Sequence, residues 1–168
     1  MEFTTVIKNR ETVRKFDGRK PTEEQLAKIL EAGRIAPTAS NLQPQQVYVL
    51  ESEAALKKMD AIHPCRYGAS MVLMVCVDKD VALNYKGVSS YQVDATIAAT
   101  HMLLAAYDAG VDSVWLGIFE PEKVQAEFDL PENIIPICLI DLGFRTDDYA
   151  GNPAHSKKNP LENMVTRL

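Results

Sequence analysis

The stretch from Tyr91 to Ala109 constrains the fold more than any other part of the sequence. It has the pattern of one long helix that Gly110 is suited to end. Apolar side chains recur on nearly every side of it, and a helix of that kind must be buried on several sides. In a chain of 168 residues, this pattern indicates burial against a second subunit. The apolar residues are Ala95, Ile97, Ala98, Ala99, Met102, Leu103, Leu104, Ala105 and Ala106.

The other apolar segments predict short strands. Met71–Val77 is a continuous, valine-rich run, which is typical of a strand buried on both faces. Helices and strands intermix without the regular alternation of a doubly wound sheet, so we expect an α+β fold in a single domain of residues 1–168. Pro136 is expected at a strand start or a sheet edge. Further strands are predicted at Val47–Leu50, Val111–Ile118 and Ile134–Leu142.

Turn and capping residues predict where the helices begin and end. Thr22 and Gln25 fit a capping box at a helix start, and Gly33 is expected to end that helix. Ser52 is a candidate cap for the next helix, and Pro121 suits the first turn of another. A short helix is also predicted at Thr4–Asn9.

Composition excludes several classes of function. The formal net charge is −5 at pH 7, which argues against nucleic acid as the main partner, because phosphate backbones need a basic face. No apolar run reaches the length of a membrane span, and the first residues lack the apolar core of a signal peptide. We therefore expect a cytoplasmic protein. The three cysteines have no metal-ligand spacing, so no metal site is predicted.

Basic residues near the N-terminus form a candidate anion site. Arg10 and Arg14 are four residues apart and would share one face of a helix or tight turn, with Thr12 between them. Two guanidinium groups and a hydroxyl suit a phosphate, because each guanidinium donates paired hydrogen bonds. The alternative is a solvated basic face beside Glu11 and Asp17.

Three further segments carry polar groups that could contact a ligand. Ala36–Pro44 is a stiff loop with short hydroxyls and amides, although an ordinary connection explains it too. In Asp112–Ile118, Gly117 could allow close backbone approach, unless the segment is simply a core strand with a packed tryptophan. The pair Lys157 and Lys158 could be a second anion clamp or a solvated pair.

Taken in order, these motifs resemble the nitroreductase family. The resemblance rests on Arg10-x-Thr12-x-Arg14, the 36–44 loop, Ser113–Gly117 and Lys157–Leu161, together with a likeness of the 94–110 helix to the family's central dimer helix. It implies a mixed, mainly antiparallel sheet sandwiched by helices in an intertwined homodimer. It also implies FMN bound between the subunits, with NADH or NADPH as electron donor.

The resemblance also assigns roles to residues. Arg10 and Arg14 would hold the FMN phosphate with Thr12 beside it, and Lys157 or Lys158 would add a C-terminal contact. Arg66 would reach the pyrimidine side of the ring, and the Gly117 amide would lie near its N5 atom. Ring-lining residues would be Pro37, Thr38, Ala39, Ser40, Asn41 and Gln43 from the partner chain, and Trp115, Leu116, Gly117 and Ile118.

The function implied is hydride transfer to a flat, electron-poor acceptor, a nitroaromatic or a quinone, with ping-pong kinetics and no catalytic side-chain acid or base. Three other hypotheses remain. The protein is an FMN reservoir or sensor without efficient turnover, it catalyses another reaction such as reductive dehalogenation on the same scaffold, or it is a dimeric interaction module without ligand. Two positions depart from the family pattern, namely Gln45 in place of the usual Trp and Lys158 in place of the frequent Arg.

Overall fold

An antiparallel sheet of four strands forms the middle of the fold, and the computed structural model describes all residues from 1 to 168. The strands in chain order are β1 (Gln45–Leu50), β2 (Met71–Asp78), β3 (Asn84–Tyr85), β4 (Val88–Ser89), β5 (Asp112–Leu116) and β6 (Ile134–Gly143). The main sheet has the order β1-β2-β6-β5, and β3 with β4 forms a separate hairpin. Strands β2 and β6 are therefore central, while β1 and β5 are edges.

The helices lie on both faces of this sheet. They are α1 (Phe3–Asn9), α2 (Glu23–Arg34), α3 (Glu53–Ile62), α4 (Tyr91–Asp108) and α5 (Pro121–Glu127). Short 3-10 turns occur at Ala39–Asn41 and Leu161–Asn163. No helix combines the length and apolar character needed to cross a membrane.

Strand β2 shows why the sequence contains a continuous apolar run. Its side chains alternate between two layers, and those of the odd-numbered residues, such as Leu73 and Val75, join the core with α2 and α4. Those of the even-numbered residues, such as Val72 and Met74, join a second core with α3 and α5. Both faces are thus buried, and the prediction of a mainly antiparallel sheet sandwiched by helices is confirmed.

The predicted caps of two helices are present. The Thr22 hydroxyl accepts from the Gln25 amide at 3.2 Å while the Gln25 side chain accepts from the Thr22 amide at 2.9 Å. Ser52 accepts from the Ala55 amide at 3.2 Å. Each cap satisfies amides that have no partner within the first helical turn.

The prediction that Gly33 ends a helix is wrong. Helix α2 continues to Arg34, and Gly33 faces α4 inside it. A Cβ atom at this position would lie only 2.9 Å from the Met102 Cγ and Sδ atoms. A side chain at position 33 would force the Met102 side chain to shift, so this glycine allows the close packing of α2 on α4 and does not end the helix.

Two predicted strand features are refined by the sheet. Strand β5 ends at Leu116, so the predicted extension to Ile118 is wrong. Pro136 lies inside β6, next to an irregularity in its pairing with β2 between Val75 and Cys76. Strand β5 pairs with β6 only from Leu139 onward. Pro136 therefore lies where β6 has a neighbour on one side only, which suits a residue without an amide hydrogen.

Helix α4 runs through the predicted range, and only part of its apolar surface is covered within the chain. The side facing the sheet and α2 includes the fully buried Ala95, Ala99 and Met102. Val93 on another side is 59% exposed, and the hairpin beside it exposes Tyr85 and Val88. An uncovered apolar surface thus remains around the N-terminal half of α4.

Candidate functional site

The basic segment after α1 is extended rather than helical. Helix α1 ends at Asn9, and Thr12 forms an isolated parallel bridge with Ser113 on edge strand β5. The sequence argument that Arg10 and Arg14 share a helix face or a tight turn is therefore wrong. An extended chain alternates sides at every residue, which still places Arg10, Thr12 and Arg14 on one side. The buried side chain of Val13 points the other way.

This segment is held on β5 by hydrogen bonds to its backbone. The Val13 amide donates to the Ser113 carbonyl at 3.0 Å. The Tyr149 hydroxyl donates to the Thr12 carbonyl at 2.9 Å. Because these bonds use only main-chain atoms of residues 12 and 13, the hydroxyl of Thr12 stays free for a ligand.

Arg10 and Arg14 have no carboxylate partner in the chain. Four other arginines form ion pairs, namely Arg19, Arg34, Arg66 and Arg145. Arg10 is half-buried and Arg14 is exposed beside the Tyr67 phenol. Burial raises the pKa of Tyr67, and the Arg14 guanidinium acts against that rise. Two unpaired guanidinium groups on one side of a docked strand can bind an anion.

The C-terminal tail folds back over the same segment. A ring nitrogen of His155 lies 2.8 Å from the Lys8 carbonyl oxygen, next to the end of α1. The Asn152 side chain donates to the Thr12 carbonyl at 3.4 Å. Lys157 and Lys158 follow directly and are exposed. The tail therefore contacts the end of α1 and the segment after it through residues that directly precede these two lysines.

The loop between α2 and β1 is strained. Ser40, Asn41 and Gln43 have φ angles of 52°, 54° and 53°, in the left-handed region that residues with a Cβ atom rarely adopt. The Thr38 hydroxyl accepts from the Gln43 amide at 3.0 Å, which supports this conformation. Such strain accumulates where a loop must present groups to a ligand, so the loop is a candidate contact region.

A buried acid on α4 anchors this loop. Asp94 is 1% exposed and accepts from the Ala39 amide at 2.8 Å and from the Ser90 hydroxyl at 2.6 Å. The sequence interpretation missed Asp94, although a carboxylate in an otherwise apolar helix is a usable signal. It connects the strained loop to the helix whose apolar surface is left uncovered.

The end of β5 offers backbone and aromatic groups. Trp115 packs partly against the main core, and Ile118 is 94% exposed. A Cβ atom at Gly117 would lie 3.0 Å from the Trp115 Nε1 atom. The Gly117 amide donates to no acceptor within the chain. This end of β5 therefore presents a free backbone donor beside an aromatic ring.

Two separate clefts flank α4. The larger, of about 810 Å³, is mainly apolar and is lined by Pro37, Thr38 and Ala39 together with the hairpin. The other, of about 470 Å³, contains Trp115 and Gly117. Within one chain, the loop and the end of β5 therefore line different clefts, on different faces of α4.

Arg66 and Gln45 are engaged elsewhere. Arg66 donates to both Asp60 carboxylate oxygens at 2.8 and 2.6 Å and to the Ala69 carbonyl, in a third, polar cleft. The residues that line this cleft include neither Arg10 nor Arg14. The side-chain amide of Gln45 donates to the Gly33 carbonyl at 3.4 Å, at the end of α2. Gln45 thus contacts a helix end rather than the loop.

Comparison with known proteins assigns the family. A family model described as the nitroreductase family matches residues 7–64 and 62–144, which is most of the chain. The chain belongs to the nitroreductase family. A protein of Methanothermobacter thermautotrophicus named as an NADH dehydrogenase/NAD(P)H nitroreductase is 31% identical over 157 residues, covering 88% of this chain and 80% of the relative. A protein of Archaeoglobus fulgidus with the same name is 30% identical over 166 residues, covering 95% and 94%.

Solved structures agree with the fold. A nitroreductase family protein of Clostridium difficile 630 superposes with a TM-score of 0.92 at 32% identity, covering 99% of this chain and 98% of that one. A protein of Exiguobacterium sibiricum, described in complex with FMN, has a TM-score of 0.88 at 20% identity, covering 100% and 98%. The second likeness shows the fold alone.

Proposed function

We propose that this nitroreductase-family chain is an FMN-dependent oxidoreductase that passes hydride equivalents from NADH or NADPH to a flat, electron-poor acceptor. The observation that carries the proposal is the pair of arginines without carboxylate partners, Arg10 and Arg14, on a strand docked against β5. The names of the relatives supply the electron donor class, and the Exiguobacterium sibiricum structure, described in complex with FMN, is an example of this fold with that cofactor.

The residues present fit an elongated ligand with an anionic end. Arg10, Thr12 and Arg14 would bind the phosphate, with Lys157 or Lys158 adding charge from the tail. Gly117 lies four residues after Ser113, a distance of roughly 13 Å along an extended strand. Opposite ends of one ligand could therefore contact the docked segment and the end of β5.

At the other end, the protein would position and shield the ring. The Gly117 amide is free to donate to a ring nitrogen, and Trp115, Leu116 and Ile118 would line its edge. Bound FMN supplies the hydride chemistry. No side-chain acid or base is needed, and donor and acceptor would use the same exposed face in turn, which predicts ping-pong kinetics.

The complete site would require two chains. In one chain, residues 37–39 of the loop and the end of β5 line different clefts, and the apolar surface around Val93 is uncovered. We therefore propose a homodimer in which the loop of one chain lines the flavin site of the other. Family interfaces of this intertwined kind would bury more than about 2,000 Å². Sedimentation that finds a folded monomer at micromolar concentration contradicts this arrangement.

Titration of the apoprotein with FMN tests the cofactor, because binding quenches flavin fluorescence and should reach one equivalent per chain. Steady-state oxidation of NADH and NADPH with menadione then tests turnover. Parallel lines in double-reciprocal plots are expected for ping-pong kinetics. Absence of FMN binding refutes the proposal, and binding without turnover favours a reservoir or sensor.

A further inference from the structure

A network of charged residues lies behind the docked segment. Arg145, just after β6, donates through Nε and Nη2 to the Asp112 carboxylate at 3.0 and 2.6 Å. Its Nη1 donates to the Glu11 carboxylate at 2.5 Å. One guanidinium therefore connects the first residue of β5 with the residue between Arg10 and Thr12.

The same carboxylate is also bound by the tail. Glu11 Oε2 accepts from the Asn152 backbone amide at 2.9 Å. The Glu11 side chain is only 13% exposed and that of Asp112 only 15%. Partly buried carboxylates of this kind are costly without a cationic partner, so the pairing with Arg145 strongly favours this one orientation of Glu11.

The orientation of Glu11 determines that of its neighbours. In an extended segment, a side chain that points inward at Glu11 places Arg10 and Thr12 on the outward side. Glu11 is held through its side chain, Thr12 through its carbonyl and Val13 through its amide, so three consecutive residues are each held through a different group. The pair of unpaired arginines on either side is thereby preorganised as an anion site.

Arginine suits this position better than lysine. Its planar group donates in several directions at once and can bridge two carboxylates, whereas an ammonium group is a compact point charge. Hydrogen bonds to Asp112 and Glu11 raise the pKa of Arg145 further above its usual range. The bridge therefore stays charged throughout the working pH range.

We propose that Arg145, acting through Glu11, is a positioning residue that sets the affinity of the Arg10–Arg14 segment for the phosphate end of the flavin. This inference rests on the proposed function. It makes a prediction opposite to that of simple electrostatics. Removing the negative charge of Glu11 would strengthen anion binding if charge alone mattered, but it weakens binding if Glu11 orients the segment.

The test compares FMN with riboflavin, which lacks the phosphate, in fluorescence titrations of the apoprotein. Glu11→Ala is expected to weaken FMN binding by about 10-fold or more, by analogy with metal sites, where removing the hydrogen-bond partner that orients a ligand costs about 10–100-fold in affinity. Riboflavin affinity should be unchanged, because the ring contacts lie elsewhere. Glu11→Gln keeps one acceptor oxygen, which can serve Arg145 or the Asn152 amide but not both, and should lose less FMN affinity than Glu11→Ala.

Arg145→Lys provides an independent variant, and Arg34→Lys, in an exposed ion pair with Glu31, is its matched control. The first should lose FMN affinity selectively and the second should not. Equal or tighter FMN binding by Glu11→Ala, or equal losses for FMN and riboflavin, overturns the positioning role. A wild-type apoprotein that binds neither flavin instead refutes the proposed function.

Discussion

Strand β2 lies in the middle of the sheet and strand β5 at its edge, and the two differ in what surrounds them. Every residue of β2 from Met71 to Val77 is buried between two helical layers. Strand β5 pairs with β6 on one side, and on the other side its Ser113 alone forms a bridge to the extended segment that carries Arg10 and Arg14. The centre of the sheet thus supplies stability, and its edge carries groups left free for a ligand.

Stability and ligand binding therefore depend on different strands of this small domain. Burial of apolar side chains at β2 is non-directional and stabilises the fold by about 1.5–3 kcal/mol per large residue. At β5, backbone hydrogen bonds and the Arg145 network hold the segment in place, while the arginines at either end of it are left unpaired. Changes in the two regions should therefore affect different measurements.

The largest effect on stability is expected in the central strand. Leu73→Ala removes a fully buried side chain and should lower the free energy of unfolding by about 2–5 kcal/mol. FMN affinity of the folded fraction should stay unchanged. Urea denaturation at fixed protein concentration measures the loss, and Val81→Ala, at a partly exposed site, is the control. A selective loss of FMN affinity in Leu73→Ala would contradict the assignment of stability to β2 and of ligand binding to β5.

Beside the edge strand β5, we expect the opposite result, namely a loss of FMN affinity without a loss of stability. Arg10→Ala should weaken FMN binding by about 30-fold or more, since losing a half-buried charged partner costs at least about 2 kcal/mol. Its thermal midpoint without FMN should match that of wild type. Arg167 is also unpaired but lies exposed at the C-terminus, so Arg167→Ala is the control. Equal FMN affinities for both variants would remove the phosphate role from Arg10.

Asp141 is an exception to the apolar character of the centre of the sheet. It lies on β6, is 1% exposed, and its Oδ2 atom has no hydrogen-bond partner. Burial raises the pKa of Asp141 to about 8, from 3.8. Between these values the folded state keeps a proton that the unfolded state releases, so stability falls as pH rises through this window. Asp141→Asn cannot titrate and should lack this decline.

Thermal unfolding of both proteins at several pH values checks this. The midpoint of Asp141→Asn relative to wild type should rise steadily from pH 5 to pH 8. Val81→Ala, at an exposed site that carries no titratable group, should show no such trend. A constant difference between Asp141→Asn and wild type would mean that Asp141 is ionised in the fold.

The smallest effect is expected in the tail. Lys158→Ala should weaken FMN binding by no more than about fivefold, because exposed charges typically contribute about 0–1 kcal/mol. Arg14→Ala should cost more, since a guanidinium donates paired bonds to a phosphate. Titration with FMN ranks the variants, including Lys157→Ala. A loss at Lys158 that exceeds the loss at Arg14 would move the centre of the anion site from the docked segment to the tail.

Local signals in the sequence determined much of the fold. The apolar run of β2, the capping box at Thr22 and the long apolar helix α4 each appear where they were predicted. These features depend on neighbouring residues and on burial, which periodicity reveals directly. The ordered set of motifs also led to the family, which the comparisons confirm.

Tertiary structure decided what depends on contacts between distant residues. The sequence indicated that Arg10 and Arg14 share a side, but the reason is an extended segment that forms a bridge to Ser113, about 100 residues away. Gly33 is required by Met102 rather than by a helix end. Arg66 is bound by Asp60, while Arg145 reaches back to Glu11. Such pairings depend on the path of the whole chain, and the spacing of residues along the sequence does not predict them.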